Sequence, residues 1–65
     1  MLTPRQLEIA SYVAKGLKAR EIAGALGVSP RTVEFHIEQA AQRIGGETRP
    51  RHTLTIWFLS LKDAA

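Results

Sequence analysis

Residues Glu21 to Ile37 read EIAGALGVSPRTVEFHI, and this stretch decides the fold. Ile22, Ala23 and Leu26 form the apolar face of a short helical pattern that ends at Gly27. Ser29 then caps a new helix, and Pro30 takes its first position, where a missing N–H costs nothing. A helix, a glycine break and a freshly capped second helix spell a helix-turn-helix. A tight turn of this kind sets the second helix at a large angle to the first, so that its outer face is free to enter a DNA major groove.

The helix that starts at Pro30 has two unlike sides. Val28 and Val33 stand at the positions of a hydrophobic staple. Val33, Ile37, Ala40 and Ile44 fall within about 60° of one another on a wheel of 3.6 residues per turn, which predicts the core stripe. The opposite side carries Arg31, Phe35, Glu38 and Gln42, with Glu34 and Gln39 at its flanks.

Upstream, Thr3, Pro4 and Gln6 supply a cap, a first-turn proline and a capping box, with Leu2 and Leu7 at staple positions. Ile9, Ala10, Val13 and Ala14 continue the stripe, Tyr12 lies beside it, and Gly16 supplies a left-handed exit. The pattern predicts a first helix from about Pro4 to Lys15. The second runs from about Ala19 to Leu26, and its Ala23, Gly24 and Ala25 are small enough for a neighbouring helix to approach closely.

Downstream, Gly45 and Gly46 stop the third helix and Thr48 is placed to cap a fourth, from about Arg49 to Lys62. Leu54, Trp57, Phe58 and Leu61 sit at helical spacing and predict its core side, with Trp57 a core residue. Ile56 and Leu59 add apolar surface elsewhere, more than so small a domain can bury, and suit a partner helix. Thr53 to Phe58 also alternates like a strand, but the segment's length and the lack of a partner strand favour helix. Asp63 to Ala65 are expected to fray. The sequence contains no internal repeat and no linker.

The chain has 65 residues, which makes residues 1–65 one small domain with little room for a buried cleft. It contains no cysteine, and its two histidines, His36 and His52, are too far apart in sequence to suggest zinc. No metal or other cofactor is expected. Nine Lys and Arg against six Asp and Glu give a net charge of +3, which suits a polyanionic partner. There is neither a signal-peptide pattern nor a run approaching the ~20 apolar residues of a membrane span, so a soluble cytoplasmic protein is expected. Ser29 reads as a cap rather than a nucleophile, since no base accompanies it, and no enzyme is expected. His36, at the border of the core stripe, reads as a hydrogen-bonded structural histidine.

Leu2-Thr3-Pro4-Arg5, Gly16-Leu17, Glu21-Ile22-Ala23, Leu26, Val28-Ser29-Pro30-Arg31-Thr32-Val33, His36 and Ile44-Gly45 together resemble the DNA-binding domain of LuxR-type (GerE-like) transcription regulators. The likeness is collinear from Leu2 to Gly45 and weak beyond it. The resemblance implies an all-α, four-helix tetrahelical helix-turn-helix domain, with the third helix for recognition and the fourth for dimerisation, for which the apolar Ile56 and Leu59 are the candidates. It also implies backbone contacts from Lys18, Arg20, Ser29, Arg31, Thr32 and Arg43, and base reading by Val33, Glu34, Phe35 and Glu38. Helix N-termini, with free N–H groups and a positive dipole end, suit phosphates. An exposed Phe35 suits a thymine methyl, and a carboxylate can accept from cytosine N4.

Three positions depart from the family pattern. Lys18 stands where a serine or threonine usually caps the second helix, a loss of about 1 kcal/mol. Glu34 and Glu38 hold reading positions that are more often basic or polar and would repel the duplex. Ala40 and Ala41 replace larger apolar residues, leaving space for Trp57 or Phe58. Arg49, Arg51 and His52 read equally as a backbone clamp or a solvated helix start.

The expected function is therefore a sequence-specific transcriptional regulator, a homodimer binding double-stranded DNA at two half-sites. The alternative is a helix-turn-helix interaction module, an adaptor or antagonist that binds RNA polymerase or another regulator. A sigma-factor region-four-like domain is a third reading, but Ser29 to Val33 lie closer to the LuxR-type pattern. With Met1 directly before Leu2, a standalone regulator is expected; an excised effector domain is the other possibility.

Overall fold

In the computed structural model, which describes residues 2–45 and 49–64, the helix-start signals of the sequence work as local chemistry predicts. Thr3 Oγ1 accepts from the Gln6 N–H at 3.1 Å, and Gln6 Oε1 accepts from the Thr3 N–H at 2.9 Å, a complete capping box. Helix α1 follows as Pro4–Ala14. It closes with the Gly16 N–H donating to the Val13 carbonyl at 3.0 Å and the Leu17 N–H to that of Tyr12 at 3.2 Å. That pair of bonds satisfies carbonyls the helix end would leave orphaned.

Helix α2 spans Ala19–Leu26 and α3 spans Pro30–Ile44. Between them Gly27 sits at φ 71°, a left-handed conformation that lets the chain turn sharply without a Cβ clash. Helix α4 runs Pro50–Ala64. The Arg49 carbonyl accepts from the Thr53 N–H at 3.0 Å, so Arg49 takes the cap position and Pro50 the first, one residue later than the sequence pattern suggested. Gly46 and Thr48, expected to stop α3 and cap α4, lie outside the described residues. The 53–58 stretch is helical, the strand alternative fails, and α4 continues through Ala64. The described residues contain no strand, so the domain is all-α. No described helix is long and apolar enough to cross a membrane.

Helices α1 and α3 pack on each other and on α4, while α2 packs on α3. Ile9, Ala10 and Val13 of α1, Ile22 and Ala23 of α2, Val33, Ile37 and Ala40 of α3, and Leu54 of α4 form one buried cluster. Ile9, Ile22, Val33 and Leu54 are wholly buried, each contributing about 1.5–3 kcal/mol relative to exposure. Of the two staple pairs, Leu2 and Val33 reach the core, whereas Leu7 and Val28 stay on the surface. Ala23 alone of the small α2 residues is buried; Gly24 and Ala25 are exposed, and a Cβ on Gly24 would meet nothing within 4 Å.

Phe58 is partly buried and packs against the core cluster. Trp57 is half-buried and lies outside that cluster among the described residues, a correction to its expected core role. Leu61 shares the stripe of Leu54 yet is 46% exposed, because α4 runs past the core it packs on.

Candidate nucleic-acid interface

The turn at Gly27 delivers Ser29 in extended conformation, φ −82° and ψ 154°, at the start of α3. Its Oγ accepts from the Thr32 N–H at 3.1 Å and lies 2.9 Å from the Thr32 Oγ1. The cap thus occupies one donor of the first turn. Pro30 has none to give, and the Arg31 N–H has no partner among the described residues. The start of α3 therefore offers one backbone donor and the exposed Arg31 guanidinium, rather than a full set of free N–H groups.

At the start of α2, Lys18 has the extended conformation of a cap residue, with φ −80° and ψ 158°. Its ammonium cannot accept a hydrogen bond, and the cap bond of a serine is absent. Instead the Glu21 carboxylate reaches back and accepts from the Lys18 N–H at 2.7 Å. This is the second half of a capping box, and it recovers part of what the missing serine would supply. It also places an anion at the helix start, so attraction for phosphate there falls to the exposed side chains of Lys18 and Arg20.

Val33, expected among the base-reading residues, is wholly buried in the core cluster. Phe35, by contrast, is 56% exposed, and Arg31, Glu34 and Glu38 are exposed with it. The Phe35 and His36 rings stand edge to face, with centroids 5.9 Å apart at 66°. That edge contact replaces the hydrogen bond expected of His36, which has no hydrogen-bond partner among the described residues. Arg31, Glu34, Phe35 and Glu38 line an open groove of ≈ 570 Å³, closed on its far side by Pro50 and Arg51 of α4.

Glu34 and Glu38 form no ion pair or hydrogen bond among the described residues. Glu8 pairs with Arg5 at 3.7 Å and Glu21 caps α2, so the two α3 carboxylates stand apart from acids used inside the fold. Arg43 is exposed in the last turn of α3, where its charge complements the helix dipole. It lies twelve residues from Arg31, about 18 Å along the axis, and so outside the groove.

Arg51 is the residue whose place the sequence did not reveal. Its guanidinium donates to the Leu17 carbonyl, immediately before Lys18, and also lines the α3 groove. It is therefore neither simply solvated nor part of an independent cluster with Arg49 and His52. Ile56 and Leu59, one turn apart on the outer side of α4, are 52% and 47% exposed.

The profile of the family described as "Bacterial regulatory proteins, luxR family" matches residues 1–55. The chain is 46% identical over 43 residues to the tetrathionate response regulatory protein TtrR of Salmonella typhimurium, covering 66% of this chain and 21% of that protein. It is 42% identical over 48 residues to the quorum sensing-dependent transcriptional regulator RpaR of Rhodopseudomonas palustris, covering 74% and 20%. To the nitrate/nitrite response regulator NarP of Escherichia coli it is 34% identical over 64 residues, covering 98% and 29%. The chain thus spans less than a third of the length of these relatives. No solved structure gives a significant match.

Proposed function

Because this chain belongs to the luxR family of bacterial regulatory proteins, we propose that it is a sequence-specific DNA-binding domain of a transcriptional regulator, acting as a homodimer on an operator of two half-sites. It is a regulatory domain and not an enzyme. The observation that carries the reading is the outer face of α3: Arg31, Phe35 and Glu38 project from a helix whose other face is locked into the core, and Phe35 is 56% exposed. A rigid helix with an unengaged polar and aromatic face suits direct readout of base edges.

In this account Phe35, Glu38 and the flanking Glu34 face the bases. Lys18, Arg20, Arg31 and the Ser29–Thr32 hydroxyl pair face the sugar-phosphate backbone, with Arg43 reaching it farther along. Ile56 and Leu59 of α4 cover the same residues of a second copy, which removes two large apolar side chains from water in each protomer. Two α3 helices related by that symmetry would enter successive major grooves, with half-sites centred about 10 bp apart or a close multiple. A cytoplasmic setting follows from a DNA partner.

The unpaired Glu34 and Glu38 favour a second reading, a module that docks on a basic surface of RNA polymerase or of another regulator. Mobility shifts of a labelled two-fold symmetric duplex in rising salt separate the two. Lys18, Arg20, Arg31 and Arg43 in both protomers predict a log–log slope of about −7. Binding without salt dependence or site preference would exclude the operator reading.

A further inference from the structure

Phe35 and Glu38 stand together near the centre of the outer face of α3, and nothing in the described fold employs either beyond the edge contact of Phe35 with His36. A carboxylate turned toward a polyanion weakens binding unless it meets a hydrogen-bond donor, and a half-exposed phenyl ring gains only if it meets apolar surface. The major groove offers few matches. Cytosine presents its N4 amine there with no acceptor on the same base, whereas adenine sets its N7 acceptor beside the amine, an edge better suited to an amide. Thymine alone presents a methyl group.

The spacing joins the two. Phe35 and Glu38 are three residues apart, about 4.5 Å along the helix axis. That is close to the ~3.4 Å between successive bases of a strand. On the helical wheel they stand about 60° apart, so both project from the same outer face of α3 and can reach neighbouring bases. Arg31, one turn before Phe35, and Arg51 line the same groove and offset the carboxylate's charge.

Resting on the operator reading above, we propose that each half-site carries two adjacent pyrimidines on one strand: a cytosine whose N4 amine donates to the Glu38 carboxylate, and a thymine whose C5 methyl packs on the Phe35 ring. Glu34 lies about 100° from Phe35 on the wheel and is not part of this pair.

The test uses a duplex recovered with the wild-type protein from a random pool, read by fluorescence anisotropy. Replacing the thymine by deoxyuridine deletes only its methyl, and replacing the cytosine by a 2-pyrimidinone nucleoside deletes its amine. Deoxyuridine should weaken wild-type binding about fourfold, the equivalent of the ~0.8 kcal/mol of one buried methyl-sized group, and leave Phe35→Ala unaffected. The 2-pyrimidinone should weaken the wild type about tenfold more than Glu38→Ala, the variant serving as the control for altered base pairing. A recovered half-site without adjacent pyrimidines, or variants that respond to both analogues as the wild type does, would overturn the assignment while leaving sequence-specific binding intact. A pool that yields no preferred duplex would overturn this proposal and the operator reading together.

Discussion

The guanidinium of Arg51 donates to the carbonyl of Leu17, joining the first turn of α4 to the residue before Lys18 at the start of α2. The bond crosses 34 residues of sequence and links the helix proposed to dimerise with a helix start proposed to face DNA. Arg51→Ala is expected to lower stability by about 1 kcal/mol in urea denaturation. A variant with an unchanged midpoint would show that the bond adds nothing in solution.

Lys18 poses a trade between stability and affinity. With Glu21 already accepting from the Lys18 N–H, Lys18→Ser would complete the capping box, because the serine hydroxyl can accept from the Glu21 N–H. Stability should rise by about 0.5–1 kcal/mol. The salt slope of DNA binding should fall by about one per protomer as one cation is lost. A slope that does not move would remove Lys18 from the proposed phosphate contacts.

Val33 and Phe35 are two residues apart and face opposite ways. Val33→Ala should cost about 2 kcal/mol through the cavity it leaves, with site preference unchanged in the folded variant. Phe35→Ala should stay within about 0.5 kcal/mol of the wild type while relaxing preference at one base pair. Thermal melts paired with binding to single-base operator variants read both effects. The reverse pattern would mean that α3 presents the wrong face.

The outer side of α4 offers a fourth test. Ile56→Glu with Leu59→Glu replaces two half-exposed apolar side chains by charges and should leave the monomer folded. Sedimentation equilibrium should then report a monomer where the wild type dimerises. Dimers that survive both changes would place the interface elsewhere.

What was legible in the sequence was local. Thr3 with Gln6, Ser29 with Thr32, and the proline after each cap act within one turn, so their reading needs no knowledge of the rest of the chain. Pro50 carries the same signal, and it starts α4 one residue after the position that a cap at Thr48 implies. The depth of α4 side chains was harder to read because apolar residues surround much of that helix. Its packing against α1 and α3 buries Leu54 fully, leaves Trp57 half-buried and lets Leu61 run past the core.

At the candidate site, the wheel separated Phe35 and Glu38 from the core stripe correctly, since exposure on a helix follows its period. Val33 lies on that stripe too, and it is wholly buried, unlike the other three residues expected to read bases. The contacts of Arg51 with Leu17 and the α3 groove depend on chain closure and leave no mark on local pattern.

Selection from a random double-stranded pool, followed by sequencing of the bound fraction, tests the central claim most directly. The account predicts enrichment of a two-fold symmetric sequence whose half-sites are centred about 10 bp apart or a close multiple. A bound fraction indistinguishable from the input pool would contradict it.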